Sequence, residues 1–255
     1  MQRFVRTAAG LCGVGAMVMM IAVAAPAGAD EPACRYPADV LDLTSWKVQL
    51  PIGEEEDPDE VTQPELATYA VDPWFVASDD CEYVRFRAAV NGVTTGGSNY
   101  PRSELREMNA DGSDEAAWSP DEGTHTMVID QAITDVPHDK PHVVAGQIHD
   151  GDDDVSVFRL EGTRLYLTEG DSSDDYVLIT DEYALGTRFE ARFVVRDGRI
   201  EAYYNGELVT TIDADFEGGY FKAGAYTQAN CERSDPCSDD NFGQVHVYDL
   251  RISHE

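Results

Sequence analysis

The chain has 255 residues, of which 49 are Asp or Glu and 18 are Lys or Arg, giving a formal net charge of −31 and a pI near 4.2. Nucleic-acid binding is excluded first, because a phosphate-tracking surface needs clustered cations, and Lys47, Lys140 and Lys222 are the only lysines. An anionic membrane surface is excluded on the same ground. Disorder is excluded too, since 42% hydrophobic residues suffice to build a core beneath an acidic shell.

At the N-terminus, Arg3 and Arg6 precede an apolar run from Leu11 to Ala25, and Ala27-Gly28-Ala29 is a small-residue cleavage site. This is the layout of a secretory signal peptide over residues 1–29. The apolar run falls short of the ~20 residues that a membrane span needs. The expectation is a secreted, extracellular protein with one domain over residues 30–255. Cys12 falls in the leader, leaving Cys34, Cys81, Cys231 and Cys237, an even set that reads as two disulfides with three possible connectivities. The CERSDPC segment closes a small polar loop, which favours Cys231 with Cys237 and leaves Cys34 with Cys81. No C-x-x-C spacing supports a metal site at these cysteines.

Downstream, the hydrophobic pattern has period two. Strands are predicted over 82–90, 124–133, 142–149, 155–160, 164–168, 188–195, 200–204, 208–212, 220–226 and 244–252. The charged stretch 53–60 and the Asp/Ser/Pro/Gly-rich stretch 111–123 read as loops. Asp197-Gly198 and Asn205-Gly206 lie between alternating runs and predict hairpin turns in a meander. So many short strands, with no long helical repeat, imply an all-β jelly-roll sandwich of two antiparallel sheets. A single open sheet of that size would leave an apolar face bare.

Three segments place reactive side chains at alternate positions, and alternation on a strand means a shared face. Arg102, Glu104 and Arg106 share one face, with Leu105 opposite. Gln147 and His149 share another, with Val144 and Ile148 opposite. Tyr220, Lys222, Tyr226 and Gln228 form the third, with Phe221, Ala223 and Ala225 opposite. A solvated face of so acidic a chain should be rich in Asp and Glu, as 152–154 and 171–175 are. These rows carry two arginines, a lysine, a histidine and amides with one carboxylate, a cationic surface whose natural ligand is an anion.

The segments SNYPRSELRE (98–107), QIH (147–149) and YFKAGAYTQ (220–228) resemble the three signature strands of the family 7 polysaccharide lyases, the alginate lyases. WKVQLP (46–51) resembles the family's opening strand, and the likeness extends over most of residues 30–255. The resemblance implies a sandwich with a concave substrate groove, β-elimination on alginate, and neither cofactor nor metal; we expect a monomer. It also implies that Arg102 and Gln147 neutralise the uronate carboxylate, while His149 shares that task or acts as general base. Tyr226 would protonate the departing O4 and, for one uronate epimer, also take the C5 proton. Arg106, Tyr220, Lys222 and Gln228 would grip neighbouring sugars, and Glu104 would hold Arg102 or Arg106 by an ion pair. Isoleucine at position 148 goes, in the family, with guluronate-containing blocks. Thr227 stands where Asn is commoner, on the opposite strand face, where it should affect packing.

Two rivals fit less well. A glycoside hydrolase needs two carboxylates across a cleft, and the one acidic alternation, Glu55, Asp57 and Asp59, sits beside Pro58 in the expected loop. A carbohydrate-binding module could use Tyr220 and Tyr226 as platforms, but has no need of the surrounding arginines, glutamine and histidine. The acidic run 150–154 fails the spacing of an EF-hand and reads as a solvated turn. His138 and His142 are flanked by Pro137 and Pro141, which argue against a helical metal pair.

Overall fold

Strands dominate the computed structural model, which describes residue 2 and residues 34–170 and 175–255; the signal-peptide reading lies outside the described residues. In chain order the strands are β1 (Trp46–Glu54), β2 (Asp57–Val61), β3 (Phe75–Ala77), β4 (Val84–Ala89), β5 (Arg102–Glu107), β6 (Thr124–Asp135), β7 (His142–His149) and β8 (Asp154–Glu161). There follow β9 (Arg164–Thr168), β10 (Tyr176–Thr180), β11 (Phe189–Arg196), β12 (Arg199–Tyr204), β13 (Glu207–Asp213), β14 (Tyr220–Thr227) and β15 (Phe242–His254). Short 3₁₀ turns at Pro37–Asp39 and Glu65–Thr68 complete the regular structure of the described residues.

The strands form two antiparallel sheets, in the orders β10-β9-β8-β7-β14-β5-β1-β2 and β13-β12-β11-β6-β15-β4-β3. This is the two-sheet sandwich that the period-two pattern predicts. Between the sheets lie the apolar members of the alternating rows: Trp46, Leu105, Phe158 and Phe221 from the first, Phe86, Met127 and Phe193 from the second. Phe158 meets Phe193 across the sandwich with ring centroids 5.0 Å apart. Burying each such side chain contributes about 1.5–3 kcal/mol before entropy is counted.

The meander β11-β12-β13 turns where the sequence places its turns. Asp197 and Gly198 have φ of 50° and 66°, Asn205 and Gly206 50° and 81°. Two successive residues in the left-handed region make the tight turn whose twist matches a hairpin. Disulfides join Cys34 to Cys81 and Cys231 to Cys237.

Three strands have no counterpart in the sequence reading. The stretch 53–60, read as a loop, contains most of β2, an edge strand paired only with β1. Pro58 is tolerated there because an edge strand need not donate on its free side, and its carboxylates discourage further pairing. β10 closes the other edge of the same sheet, where the exposed Tyr176 and Leu178 are as apolar as the half-buried Val177 and Ile179, so no polar–apolar alternation marks it. β3 has only three residues.

One predicted face is also corrected. Val143, Ala145 and Ile148 enter the core, which requires the alternation to slip by one residue between Ala145 and Ile148. Gly146 takes up the slip with φ of 95°, and the register of β7 against both neighbours shifts there. Val144 therefore opposes Tyr226 and shares its face, rather than lying opposite Gln147 and His149. Thr227 packs as expected on the inner side: its hydroxyl donates to the Ala88 carbonyl at 2.7 Å and accepts from Gly243 N at 3.2 Å, tying the two sheets together.

Candidate active site

Cross-strand register assembles the site, because directly opposed residues of an antiparallel pair share a face. Lys47 of β1 opposes Arg106 of β5, Arg106 opposes Lys222 of β14, and Lys222 opposes Gln147 of β7. The neighbouring row runs from Arg102 through Tyr226 to Val144, and Tyr220 opposes His149. The three predicted rows thus lie side by side on the outer face of the first sheet. Arg102, Glu104, Arg106, His149, Tyr220 and Lys222 line one cavity of about 460 Å³. Gln147 is buried at its base, Tyr226 lies behind Arg102, and Gln228 is turned away from the cavity to accept from Arg159 Nη1 at 3.0 Å.

Glu104 is the buried centre, 1% exposed. Its Oε1 accepts from Gln147 Nε2 at 2.5 Å, and its Oε2 lies 2.8 Å from Lys222 Nζ and 3.7 Å from Arg102 Nη1. The carboxylate fixes the Gln147 amide with its N–H₂ towards Glu104, since a carbonyl oxygen there would face a charged oxygen. Burial pushes the Lys222 ammonium below the usual lysine range, and Glu104 opposes that push. The expected ion pair of Glu104 is with Arg102, at 3.7 Å, and Lys222 is a second, closer partner that the sequence reading did not name. Arg106 instead pairs with Glu115 Oε2 at 3.2 Å and donates to the Glu107 carbonyl at 2.7 Å.

The groove is also less cationic than the rows suggested. Lys47 Nζ is held between Glu60 at 2.7 Å and Glu115 at 2.9 Å, carboxylates supplied by β2 and by the segment after β5. Arg102 is the exception, since its one ion pair among the described residues is the 3.7 Å contact with Glu104. Its guanidinium lies 3.9 Å from the Tyr226 ring centroid. A guanidinium fork not taken up by a protein carboxylate is available to a substrate carboxylate.

On the other side of the cavity Arg106, Tyr220 and His149 form a stack. The Arg106 guanidinium is 3.9 Å from the Tyr220 ring centroid, and the Tyr220 and His149 rings lie 5.1 Å apart. Burial raises the Tyr220 phenol above its ordinary pKa, with Arg106 opposing. His149 Nδ1 lies 2.6 Å from the Asp150 carbonyl and 3.0 Å from the Tyr220 hydroxyl. A carbonyl only accepts, so the proton resides on Nδ1 and Nε2 is left as the acceptor. Asp154 Oδ1 lies 3.7 Å from Nε2, and burial raises its carboxyl pKa while His149 lowers it. The turn 150–154 brings carboxylate oxygens of Asp153 and Asp154 within 4.8 Å of a His149 ring nitrogen.

Lys47, Ser98 and Asp154 were absent from the sequence-derived site. Lys47 and Gln49 alternate with Trp46, Val48 and Leu50 in WKVQLP, a period-two signal that marks a fourth row. Ser98 lies within the first motif, and its Oγ is 2.9 Å from the Tyr226 hydroxyl.

A two-sheet sandwich with a guanidinium, an imidazole acceptor and a phenol around one polar groove defines a lyase of acidic polysaccharides. The family model described as alginate lyase matches residues 41–254. An alginate lyase from Corynebacterium sp. is 58% identical, with a TM-score of 0.85 over 88% of this chain and 100% of that one. The alginate lyase AlgAT5 of polysaccharide lyase family 7 is 47% identical, with a TM-score of 0.81 over 86% of this chain and 99% of that one. A variant of the family 7 alginate lyase A1-II′ in complex with product (GGG) is 26% identical, with a TM-score of 0.74 over 88% of this chain and 100% of that one. No curated protein matches the chain. The chain belongs to the alginate lyases of polysaccharide lyase family 7.

Proposed function

We propose that this alginate lyase is a secreted monomer that cleaves within guluronate-containing blocks of alginate by β-elimination, releasing unsaturated oligouronates. The observation that carries this reading is that Arg102 and His149 line one cavity, with the Tyr226 ring stacked against the Arg102 guanidinium at 3.9 Å.

The C5 proton of a uronate is barely acidic while the adjacent carboxylate keeps its charge, so charge developing in the enolate-like intermediate must be met where it appears. Arg102 supplies the fork for that carboxylate, and Gln147, fixed by Glu104, has a second amide proton to offer beside it. His149 Nε2 takes the C5 proton, the freed electron pair forms the C4–C5 double bond, the C4–O4 bond breaks, and Tyr226 gives its proton to O4. No water is consumed. Glu104 serves as the orienter of Gln147 and Lys222 in this scheme.

Guluronate-containing blocks are favoured by Ile148 between Gln147 and His149, where it is fully buried and acts through strand placement rather than contact. The relative A1-II′ in complex with product (GGG) points the same way. Endolytic action is supported by the polar face continuing past the cavity, to Gln228 and Arg159 on one side and Gln49 and Glu60 on the other.

Polyguluronate and polymannuronate, offered separately, test the reading. Ultraviolet absorbance of the new double bond should grow faster on polyguluronate, with a ladder of oligomers early in the reaction. Faster growth on polymannuronate, or a single terminal product from the start, would overturn the specificity or the endolytic mode respectively.

A further inference from the structure

We propose that Ser98 is a positioning residue for Tyr226, a hydrogen-bond rotor that stabilises both protonation states of the phenol. This rests on the reading of Tyr226 as the group that protonates O4.

Ser98 Oγ is the hydrogen-bond partner of the Tyr226 hydroxyl among the described residues, at 2.9 Å. The same oxygen accepts from Tyr100 N–H at 3.2 Å and lies 3.2 Å from the Tyr100 carbonyl. A hydroxyl has one proton, so Tyr100 O and the Tyr226 oxygen compete for it. While Tyr226 is neutral, its O–H donates to Ser98 Oγ and the Ser98 O–H donates to Tyr100 O. Once Tyr226 has given its proton to O4, the phenolate can no longer donate. Rotation about the Ser98 Cβ–Oγ bond then transfers the Ser98 O–H from Tyr100 O to the phenolate, with no heavy atom displaced. The donor arrives where negative charge appears, at the moment it appears.

The segment carrying Ser98 is held in place for this task. Lys140 Nζ donates to the Tyr100 hydroxyl at 2.8 Å and lies 4.4 Å from its ring centroid. Asn230, next to the Cys231–Cys237 disulfide, donates to the Asn99 carbonyl at 3.3 Å. Ser98 N donates to Thr95 O at 3.0 Å, closing a turn. The charged groups facing Tyr226 are Arg102 over its ring, with Glu104 behind that arginine, Lys222 at 6.0 Å from the ring centroid, and Lys140 beyond Tyr100. From β7 the facing residue is the apolar Val144. None of these groups is changed by replacing Ser98, so a shift in the titration of Tyr226 reports the hydroxyl.

The test compares Ser98→Ala, Ser98→Thr and Tyr226→Phe on alginate oligomers, measuring kcat, KM and the pH profile. Loss of one donor to a charged oxygen lowers kcat of Ser98→Ala roughly 10- to 100-fold with little change in KM. Without that donor the phenol keeps its proton to higher pH, so the alkaline limb of kcat/KM moves up by about one unit. Ser98→Thr, which retains the hydroxyl, restores both. If Ser98→Ala keeps the wild-type kcat and limb while Tyr226→Phe is inactive, the role of Ser98 is overturned and that of Tyr226 stands. If Ser98→Ala and Ser98→Thr lose activity equally with the limb unmoved, Ser98 is only structural and the proposal fails. An active Tyr226→Phe removes the tyrosine's role, and this proposal with it.

Discussion

Glu104 Oε2 and Lys222 Nζ stand 2.8 Å apart on adjacent strands, with both side chains almost wholly removed from solvent. Breaking such a pair strands a buried charge, which costs about 3–5 kcal/mol, whereas replacing both partners with apolar groups is close to neutral. Glu104→Gln and Lys222→Met should each lower the unfolding free energy by about 3 kcal/mol, and the double variant should recover more than half of the summed loss. Urea unfolding checks this. Losses that simply add would show that the two residues do not act as a pair.

The two groove arginines should respond differently to the same change. Arg102 is held loosely, 3.7 Å from its one carboxylate partner among the described residues, whereas Arg106 is engaged by Glu115 and the Glu107 carbonyl. Arg102→Lys removes the fork that a uronate carboxylate needs and should cut kcat about 100-fold or more. Arg106→Lys should raise KM several-fold with a smaller effect on kcat, as expected of a group that grips sugar away from the reacting carbon. Comparable losses of kcat in both variants would contradict this division of labour.

The sandwich and the three rows were legible because alternation is local: Leu105 between Glu104 and Arg106 already tells which way each points. What alternation does not carry is the insertion of a slip. Gly146 reverses the parity of β7, so Val144 faces Tyr226, and the lone glycine inside 142–149 is the one residue that signals such a slip. Nor does a row count the charges that other strands bring to it. Glu60 and Glu115 lie outside the motifs, yet they hold Lys47, and Glu115 also holds Arg106, so that the groove carries more ion pairs than free cations. β2 and β10 escaped because neither shows its hidden face as a polar–apolar alternation: β2 buries only Pro58 and Val61 among carboxylates, and β10 is apolar on both faces.

Acid should destabilise the fold through its buried histidines. His246 is pushed down to about 4 by burial, with Arg85 and Arg87 adding to the push, and its Nε2 lies 3.2 Å from Gln244 Nε2, which donates to the neutral ring. The folded pKa lies below the unfolded value of about 6.5, so the unfolded chain binds the proton first. The stabilising contribution is complete above about pH 6.5 and is lost progressively as pH falls towards 4. His142 is lowered to about 4 chiefly by burial and adds to the same window. The melting temperature should therefore fall across this range. His246→Phe, which keeps the stacking partner of Tyr83 without a titrating nitrogen, should flatten the dependence of unfolding free energy on pH by up to about 1.4 kcal/mol per pH unit. An unchanged slope in that variant would assign the acid sensitivity elsewhere.

Salt should speed the enzyme on polymer. A formal charge of −31 surrounds a groove that must admit a polyanion, so approach is opposed everywhere except at Arg102 and its neighbours. The repulsion acts over the Debye length, about 30 Å at 0.01 M salt and about 3 Å at 1 M. Contacts in the groove are far shorter-ranged and partly buried, as the 3.9 Å stack of Arg102 on Tyr226 illustrates, and are screened much less. Adding salt therefore removes the barrier before it weakens the grip, and kcat/KM on alginate should rise several-fold before levelling. Replacing the exposed Asp152 with Asn, at the turn after β7, should lift kcat/KM at low salt and leave the plateau unchanged. A kcat/KM that falls steadily from low to seawater-like salt would mean that attraction at the groove, rather than repulsion by the shell, governs capture of the polymer.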